Sequence, residues 1–248
     1  MYLIGDIGNT KIKIYLFNNN FKVINRVNLK TNLINKLYLS KKLNYLIFYK
    51  KKINSILFSS VVPPAFKIIK KYIKTIINKK PKELKEIKLK NFIKIKVNKK
   101  QVGSDRLANA IGVIDNKSNY IILDFGTATT FDVVVNNQYL GGIIAPGLNI
   151  SLETLVSKAS LIPKINLSKI SKIIGKNTKS AVKAGFYHGY IGLINNIVNS
   201  IKKQTRKSYK LIITGGFSHL FKNSLNHKTI INKDLTINGL LKIAKKLK

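Results

Sequence analysis

Apolar and polar residues alternate along several short segments of the chain, and this pattern predicts β-strands. Residues 11–17, with the sequence KIKIYLF, place apolar side chains at every second position, the period of a strand with one buried face. Short apolar runs bounded by turn-forming residues predict further strands. The predicted strands cover residues 2–5, 11–17, 21–27, 54–60, 92–97, 119–124, 129–135, 138–144 and 210–217.

A period of three to four residues predicts helices between these strands. Residues 65–78 place Phe66, Ile69 and Ile73 on one helical face. The proline pair at 63–64 is expected to end the strand before it. Other predicted helices cover residues 105–114, 148–158 and 180–203, and a last one begins near residue 238.

The elements form two similar series along the chain. Each series begins with hairpin strands that carry an Asp-x-Gly sequence, and it continues with alternating strands and helices. Alternation of this kind is typical of α/β proteins. We therefore predict an α/β fold of two duplicated domains, residues 1–115 and 116–248.

The composition excludes several classes of protein and site. The 248 residues contain no cysteine, which excludes disulfides and thiolate metal sites. No apolar run approaches the roughly 18 residues of a membrane span, and the N-terminus enters a strand-like segment without the features of a signal peptide. We therefore expect a cytoplasmic protein without a membrane partner.

The formal net charge of +37 allows two interpretations. A basic surface attracts polyanions, which would indicate a nucleic acid or an anionic membrane as a partner. The lysines are spread along the whole chain, however, and aromatic residues do not alternate with them in a stacking pattern. This distribution favours a general shift in composition, so nucleic acid is not expected as a partner. The charge still favours anionic substrates such as nucleotides.

Two of the nine acidic residues end apolar strands and precede a glycine. In Asp6-Ile7-Gly8, the glycine is expected to take the positive φ of a tight hairpin, and the N–H groups of the turn are expected to form an anion nest. Asp6 can hold a hydrated Mg²⁺ against bound phosphates. Taken alone, this segment is better explained as an ordinary hairpin.

The second such segment, Asp124-Phe125-Gly126, repeats the arrangement and is followed by three threonines. Burying a carboxylate is costly unless a cation or several donors satisfy it. A third strand ends in Gly215 and Gly216, which would let a nucleoside approach closely. Together these segments favour a nucleotide-binding cleft.

The segment Gly103-Ser104-Asp105-Arg106 places a carboxylate beside a guanidinium at a predicted helix start. Asp105 can accept a hydroxyl proton while Arg106 binds an anionic group. The alternative is that Ser104 or Asp105 caps the helix and Arg106 is solvated. Because phosphoryl transfer depends mainly on positioning and charge neutralisation, one base, a metal and phosphate-binding loops would suffice.

Six segments occur in the order and spacing of type III pantothenate kinases, and the chain resembles this family. They are DIGNT (6–10), GSDR (103–106), LDFGTATT (123–130), GGIIAPGL (141–148), NTKSAVKAG (177–185) and ITGGF (213–217). The similarity runs on to LTINGL at 235–240 and covers nearly the whole chain. It implies the fold of the actin, sugar kinase and heat-shock ATPase superfamily, with two duplicated ribonuclease H-like domains and a nucleotide cleft between them.

The resemblance also implies roles for individual residues. Asp124 would bind a monovalent cation, and Asp105 would be the catalytic base. Thr178 would reach the substrate of the neighbouring subunit; the alternative is that it caps the helix that follows it. The implied ATP-binding residues are Asp6, Ile7, Gly8, Asn9, Thr10, Lys11, Ile12, Lys13 and Thr127. The implied pantothenate-binding residues are Gly103, Ser104, Asp105, Arg106 and Thr178.

The implied reaction is the ATP-dependent phosphorylation of the primary hydroxyl of pantothenate to 4′-phosphopantothenate, the first step of coenzyme A synthesis. It implies Mg²⁺ and a monovalent cation, potassium or ammonium, and the family forms homodimers. The predicted helix over 180–203 carries small residues that suit a close contact with a partner helix, and packing within one subunit explains them as well. They are Ala181, Ala184, Gly185, Gly189 and Gly192.

One segment departs from the family pattern. Members commonly carry Tyr seven residues before the Gly of Gly-x-Asp-Arg and a Pro shortly after it, whereas this chain has Lys96 and Lys99 there. Lys96 can meet the carboxylate of pantothenate, or the enzyme can act on another small alcohol. A further alternative is a non-catalytic regulatory protein that binds nucleic acid through its basic surface. Such a protein would not need the acidic and basic residues of the phosphate and substrate segments, and all of them are present.

Overall fold

The structure is a computed structural model that describes residues 1–247. The chain forms two compact units. The first contains Met1–Ile114 and the C-terminal segment from Asp234, and the second contains Asp115–Lys233. None of the helices within residues 1–247 combines the length and apolar content that a membrane span requires.

The strands of the first unit are β1 (Tyr2–Ile7), β2 (Lys11–Phe17), β3 (Val23–Lys30), β4 (Ser55–Ser60), β5 (Lys82–Glu83) and the short β6 (Lys94–Ile95). The unit is built on a five-stranded sheet with the order β3-β2-β1-β4-β5. The strand β1 pairs antiparallel with β2 and parallel with β4.

Helices cover both faces of this sheet. Its α-helices are α1 (Lys36–Leu43), α2 (Leu46–Tyr49), α3 (Pro63–Ile77), α4 (Ser104–Val113) and the last helix of the chain, α8 (Leu235–Lys246). Four 3₁₀ turns cover Thr31–Leu33, Leu84–Glu86, Leu89–Asn91 and Lys99–Gln101. Leu3 and Ile14 pack with α3 on one face, whereas Tyr2 and Ile4 are buried on the other, where α8 contacts β1 and β4.

The second unit repeats this architecture. Its strands are β7 (Tyr120–Phe125), β8 (Ala128–Val135), β9 (Gln138–Pro146), β10 (Lys210–Gly215) and β11 (Thr229–Ile231). The helices are α5 (Leu148–Lys158), α6 (Thr178–Thr205) and α7 (Ser218–Phe221). The strands follow the order β11-β10-β7-β8-β9, and β7 pairs antiparallel with β8 and parallel with β10. The long helix α6 packs on one face of the sheet through Tyr187, Ile194 and Val198.

The two units share one topology, which confirms the predicted duplication of α/β halves. The order β5-β4-β1-β2-β3 in the first unit corresponds strand by strand to β11-β10-β7-β8-β9 in the second. Asp6 and Asp124 are each the fifth residue of the first strand of their unit. The two Asp-x-Gly segments therefore occupy equivalent positions.

The structure differs from the sequence-based prediction in the start of one helix and in the unit to which another helix belongs. The helix predicted to begin at residue 65 begins at Pro63, because the first residues of a helix have no internal partner for their N–H groups and a proline there costs no hydrogen bond. The C-terminal helix, predicted to belong to the second domain, packs in the first unit. A methyl group at Gly239 would lie 1.9 Å from the carbonyl oxygen of Ala108, so only glycine allows α8 to approach α4 this closely.

Candidate active site

Asp6 lies at the carboxyl end of β1 beside two polar side chains. In register, it is opposite Lys13 on β2 and Ser59 on β4. The Nζ atom of Lys13 lies 3.3 Å from Oδ1 of Asp234, which also accepts a hydrogen bond of 2.9 Å from the hydroxyl of Tyr15. Burial, together with the Asp234 carboxylate, raises the pKa of Tyr15 to about 12.

Asp234, immediately before α8, is a site residue that sequence reasoning missed. It engages the side chain of Lys13, which the resemblance assigns to ATP. The two residues are 221 positions apart in the chain, so no local pattern connects them. The only sequence signal is the rarity of acids, since Asp234 is one of nine.

The turn after Asp6 does not have the predicted conformation. Gly8 does not adopt a positive φ, and its N–H donates a hydrogen bond of 3.0 Å to the carbonyl oxygen of Lys11. The Gly8 carbonyl in turn accepts a 2.7 Å bond from the hydroxyl of Thr31. The expectation of a positive φ was therefore wrong, and the N–H of Gly8 already has an acceptor within the turn.

Burial divides the predicted ATP-binding segment into two groups. The side chains of Ile7 and Ile12 are buried in the core, so they can offer a ligand only backbone atoms. Asn9, Thr10 and Lys11 are exposed between the two strands. The side chains available to phosphates in this turn are therefore those three.

Asp124 lies at the equivalent end of β7, opposite Thr130 on β8 and Thr214 on β10. The next residue of β10, Gly215, has φ +85°. A Cβ atom there would lie 2.6 Å from Oδ1 of Asp124 and 2.5 Å from the carbonyl oxygen of Phe125. Two oxygen atoms thus converge beside this glycine.

The two glycines at the end of β10 have different surroundings. The space beside Gly215 is filled by Asp124 and Phe125, whereas a Cβ atom at Gly216 would meet nothing within 4 Å. The expectation that both glycines leave room for a nucleoside therefore fits only Gly216.

Thr127 is exposed in the turn between β7 and β8, and its carbonyl oxygen lies close to the start of α5. A Cβ atom at Gly147, the N-cap of α5, would lie 1.8 Å from the carbonyl oxygen of Thr127. Sequence reasoning did not assign a role to Gly147, although it belongs to the segment GGIIAPGL that carries the resemblance. Glycine is needed at this position because a side chain would overlap the backbone of Thr127.

The start of α4 does not have the side-chain cap considered as an alternative. The N-cap residue is Gly103, and no side chain caps it. Oδ1 of Asp105 instead accepts a 2.8 Å bond from the backbone N–H of Arg106 within the first turn. A carboxylate in the first turn is favourable because the helix N-terminus carries partial positive charge.

The carboxylate of Asp105 folds back over Gly103. A Cβ atom at Gly103 would lie 2.5 Å from Oδ1 of Asp105 and 3.6 Å from a methyl carbon of Val61. The N–H of Val61 donates to the carbonyl oxygen of Ile7, so this carboxylate lies at the edge of the sheet where β1 and β4 end. Any side chain at Gly103 would displace it.

The electrostatics of Asp105 suit a proton acceptor. Burial raises the pKa of its carboxyl group above the ordinary value. The backbone N–H and the charge of Arg106, and the charge of Lys85, oppose that shift. A carboxylate with a raised pKa accepts a proton more readily than a solvated one.

Lys96 and Thr178 are both exposed. Lys96 directly follows β6, and Thr178 is the first residue of α6. The cap of α6 is Asn177, whose side chain accepts a 2.9 Å bond from the N–H of Ser180. The alternative that Thr178 caps the helix is therefore wrong, and its hydroxyl is not used for capping.

The small residues of α6 divide between the core and the surface. Ala184 is buried, as packing within one subunit requires. A Cβ atom at Gly185, Gly189 or Gly192 would meet nothing within 4 Å. Packing within one subunit therefore does not explain these three glycines.

No group of three His, Cys, Asp or Glu side chains that could hold a metal ion occurs within residues 1–247. Single strand-end carboxylates are present instead. Mg²⁺ commonly keeps several waters and is bound by one or two carboxylates and the substrate phosphates. The carboxylate of Asp6 fits that mode, and the two oxygens beside Gly215 fit a hard cation.

A family profile and a known protein match the chain, and both carry the same family description. Residues 2–200 match the sequence profile of a family described as type III pantothenate kinase. A curated type III pantothenate kinase from Pelagibacter ubique strain HTCC1062 is 57% identical over 242 residues, which cover 98% of this chain and 98% of that protein.

Two solved structures are similar over nearly the whole fold. One is a conserved Baf family protein from Campylobacter jejuni, proposed as a transcriptional activator (TM-score 0.63, 20% identity, 99% of this chain and 98% of that one). The other is the activator of 2-hydroxyisocaproyl-CoA dehydratase from Clostridium difficile with bound ADPNP (TM-score 0.53, 13% identity, 99% and 94%). At these identities the similarity shows the fold alone.

Proposed function

The chain belongs to the type III pantothenate kinase family, and on this premise we propose how its own residues carry out the reaction. The protein is a kinase that phosphorylates pantothenate, with ATP as co-substrate. The observation that carries the residue assignment is the position of Asp105, folded over Gly103 at the start of α4 with a raised pKa. The non-catalytic alternative is not favoured.

Asp105 acts as the base in this proposal. Its carboxylate takes the proton of the primary hydroxyl as that oxygen forms a bond to the γ-phosphorus of ATP. The bond from the γ-phosphorus to the bridging oxygen breaks, and ADP leaves with the electron pair. Arg106 orients the acceptor, and Gly103 keeps the carboxylate in its position.

The strand-end turn of each unit offers its own groups to a nucleotide or its ions. Asn9, Thr10 and Lys11 offer exposed donors to phosphate, and Thr127 offers another. Asp6 would hold Mg²⁺ through water, and Asp124 would hold a monovalent cation, potassium or ammonium. These ions, when bound, neutralise the charge that develops on the phosphoryl oxygens.

Lys96 binds the carboxylate of pantothenate in this proposal. It is exposed and lies seven residues before Gly103, where the family commonly has Tyr. An ammonium group pairs with a carboxylate by charge, whereas a phenol only donates a neutral hydrogen bond. A substrate that carries a carboxylate is therefore compatible with a lysine in place of the tyrosine at this position.

The protein forms a homodimer through α6 in this proposal, with Thr178 reaching the partner's substrate. Replacing Gly189 with Leu is expected to convert the dimer to a monomer, because a bulky side chain would hold the two helices apart. The same change meets no atom within 4 Å in one subunit and improves helix propensity, so the monomer should fold normally. Sedimentation equilibrium of both proteins checks this, and a variant that sediments like wild type would contradict it.

The function is tested by phosphate transfer from ATP to pantothenate with Mg²⁺, in potassium and in sodium. We expect 4′-phosphopantothenate to form, and to form faster in potassium. A protein that binds ATP but yields no product with pantothenate would direct the search to other small alcohols. Equal rates in both salts would contradict the role of Asp124.

A further inference from the structure

The side chains of Lys85 and Lys99 cross-link two segments, because each donates hydrogen bonds to backbone carbonyl groups of the segment to which the other lysine belongs. The Nζ atom of Lys99 donates to the carbonyl oxygens of Lys85 and Ile87, each at 3.1 Å. The Nζ atom of Lys85 donates to the carbonyl oxygen of Lys100 at 3.2 Å. We call this pair the lysine clasp. Hydrogen bonds from an ionised donor are stronger than neutral ones.

One side of the clasp is anchored to the central sheet. Glu83 belongs to β5, which pairs with β4 through Phe58. The Glu83 carboxylate accepts a 2.6 Å bond from the N–H of Lys85 and so caps the 3₁₀ turn Leu84–Glu86. The carbonyls that Lys99 binds lie within and just after this turn, where helical carbonyls lack internal partners.

The other side of the clasp leads directly to the proposed base. Lys99 begins the 3₁₀ turn Lys99–Gln101, and the next residue, Val102, is buried. Gly103 follows, over which the carboxylate of Asp105 folds. A displacement of Lys99 would therefore move the residue that determines where this carboxylate lies.

We propose that Lys99, assisted by Lys85, is a positioning residue for Asp105, and that the clasp holds the segment before α4 in its catalytic position. The inference rests on the proposed role of Asp105 as the base. Neither lysine needs to touch the substrate. The partly buried Lys99 makes two of the bonds, so its loss should have the larger effect.

The test compares Lys99→Met with Lys79→Met. Methionine keeps an unbranched stem and removes the donors. Lys79 is a matched control, because its Nζ atom also donates to a carbonyl oxygen, that of Ile53 at 2.6 Å, in a part-buried setting. We expect Lys99→Met to lower kcat about tenfold or more with little change in the KM for ATP, and Lys79→Met to change kcat less than twofold. Lys99→Arg should recover most of the loss, since a guanidinium can also donate to two carbonyls.

A double variant separates this inference from the proposed function. If the clasp acts through the base, Lys99→Met should lower kcat far less in an Asp105→Asn background than in wild type. Wild-type kcat in Lys99→Met, together with a large loss in Asp105→Asn, would overturn the clasp alone. An Asp105→Asn variant with wild-type kcat would overturn both. Equal losses of kcat in Lys99→Met and Lys79→Met would show a merely structural role.

Discussion

Replacing Asp105 with Asn is expected to lower kcat by about 10² to 10⁴-fold, the contribution typical of a general base. An amide cannot take the proton of the substrate hydroxyl. Its oxygen can still accept the bond from the N–H of Arg106, so the first turn of α4 keeps its local partner. The loss should therefore appear in the chemical step.

The stability of the same variant should not fall. Because burial raises the pKa of Asp105, the folded protein binds this proton more tightly than the unfolded chain does. The resulting stabilisation is complete below the unfolded pKa of about 3.8 and is lost as the pH rises through the folded pKa. At pH 7 the carboxyl group of the unfolded chain is ionised, so transferring it to its buried position opposes folding, and the neutral amide should leave the free energy of unfolding unchanged or higher.

Single-turnover rates and urea unfolding at pH 7 measure the two effects separately. Glu153→Gln is the control for the change of net charge, because Glu153 is exposed on α5. We expect the control to match wild type in both measurements. A fall in the free energy of unfolding large enough to explain the lost activity would contradict the assignment of Asp105 as a base.

The duplicated fold could be predicted because its signals are local. The runs that become β1 and β7 are apolar, and both end in Asp-x-Gly. The helix predicted over 148–158 has those bounds in the structure. Shorter elements were missed: α1 buries only Leu39 and Leu43, which is too few apolar positions to establish a helical period.

The finer geometry of the site could not be predicted, because contacts between distant residues determine it. The ion pair of Lys13 with Asp234 and the bonds of Lys99 to the turn near Lys85 join segments that share no local pattern. The turn at Gly8 was wrongly expected to need a positive φ, whereas Gly215, for which no positive φ was predicted, does adopt one. Asp-x-Gly therefore predicted the position of the turn and not its conformation.

Several of the abundant lysines form hydrogen bonds with the backbone of this chain. With few carboxylates available, several ammonium groups donate to backbone carbonyls instead. Lys79 bonds to Ile53, Lys99 bonds to Lys85 and Ile87, and Lys242 bonds to Ile114. A shift in composition toward lysine is thus accommodated by the fold itself.

Replacing Gly215 with Ala is expected to lower the free energy of unfolding by about 2 kcal/mol or more. A non-glycine residue at φ +85° costs about 1–2 kcal/mol, and the added Cβ would lie 2.5 Å from a backbone oxygen that β7 holds in place. It would also lie 2.6 Å from Oδ1 of Asp124. The carboxylate must therefore turn away, and the potassium concentration that gives half the maximal rate should rise at least tenfold.

Gly216→Ala is the matched control for stability. It adds the same atom one residue later, where nothing lies within 4 Å and φ is not positive. Its free energy of unfolding should stay within about 0.5 kcal/mol of wild type, as for most surface substitutions. Denaturant unfolding of the three proteins, with a potassium titration of wild type and Gly215→Ala, measures both effects. Equal losses of stability in the two variants would contradict the prediction, because the loss would then not depend on the positive φ and the close contacts of Gly215. A large loss confined to Gly215→Ala, with weaker potassium binding, would link the backbone of β10 to the cation site that we propose at Asp124.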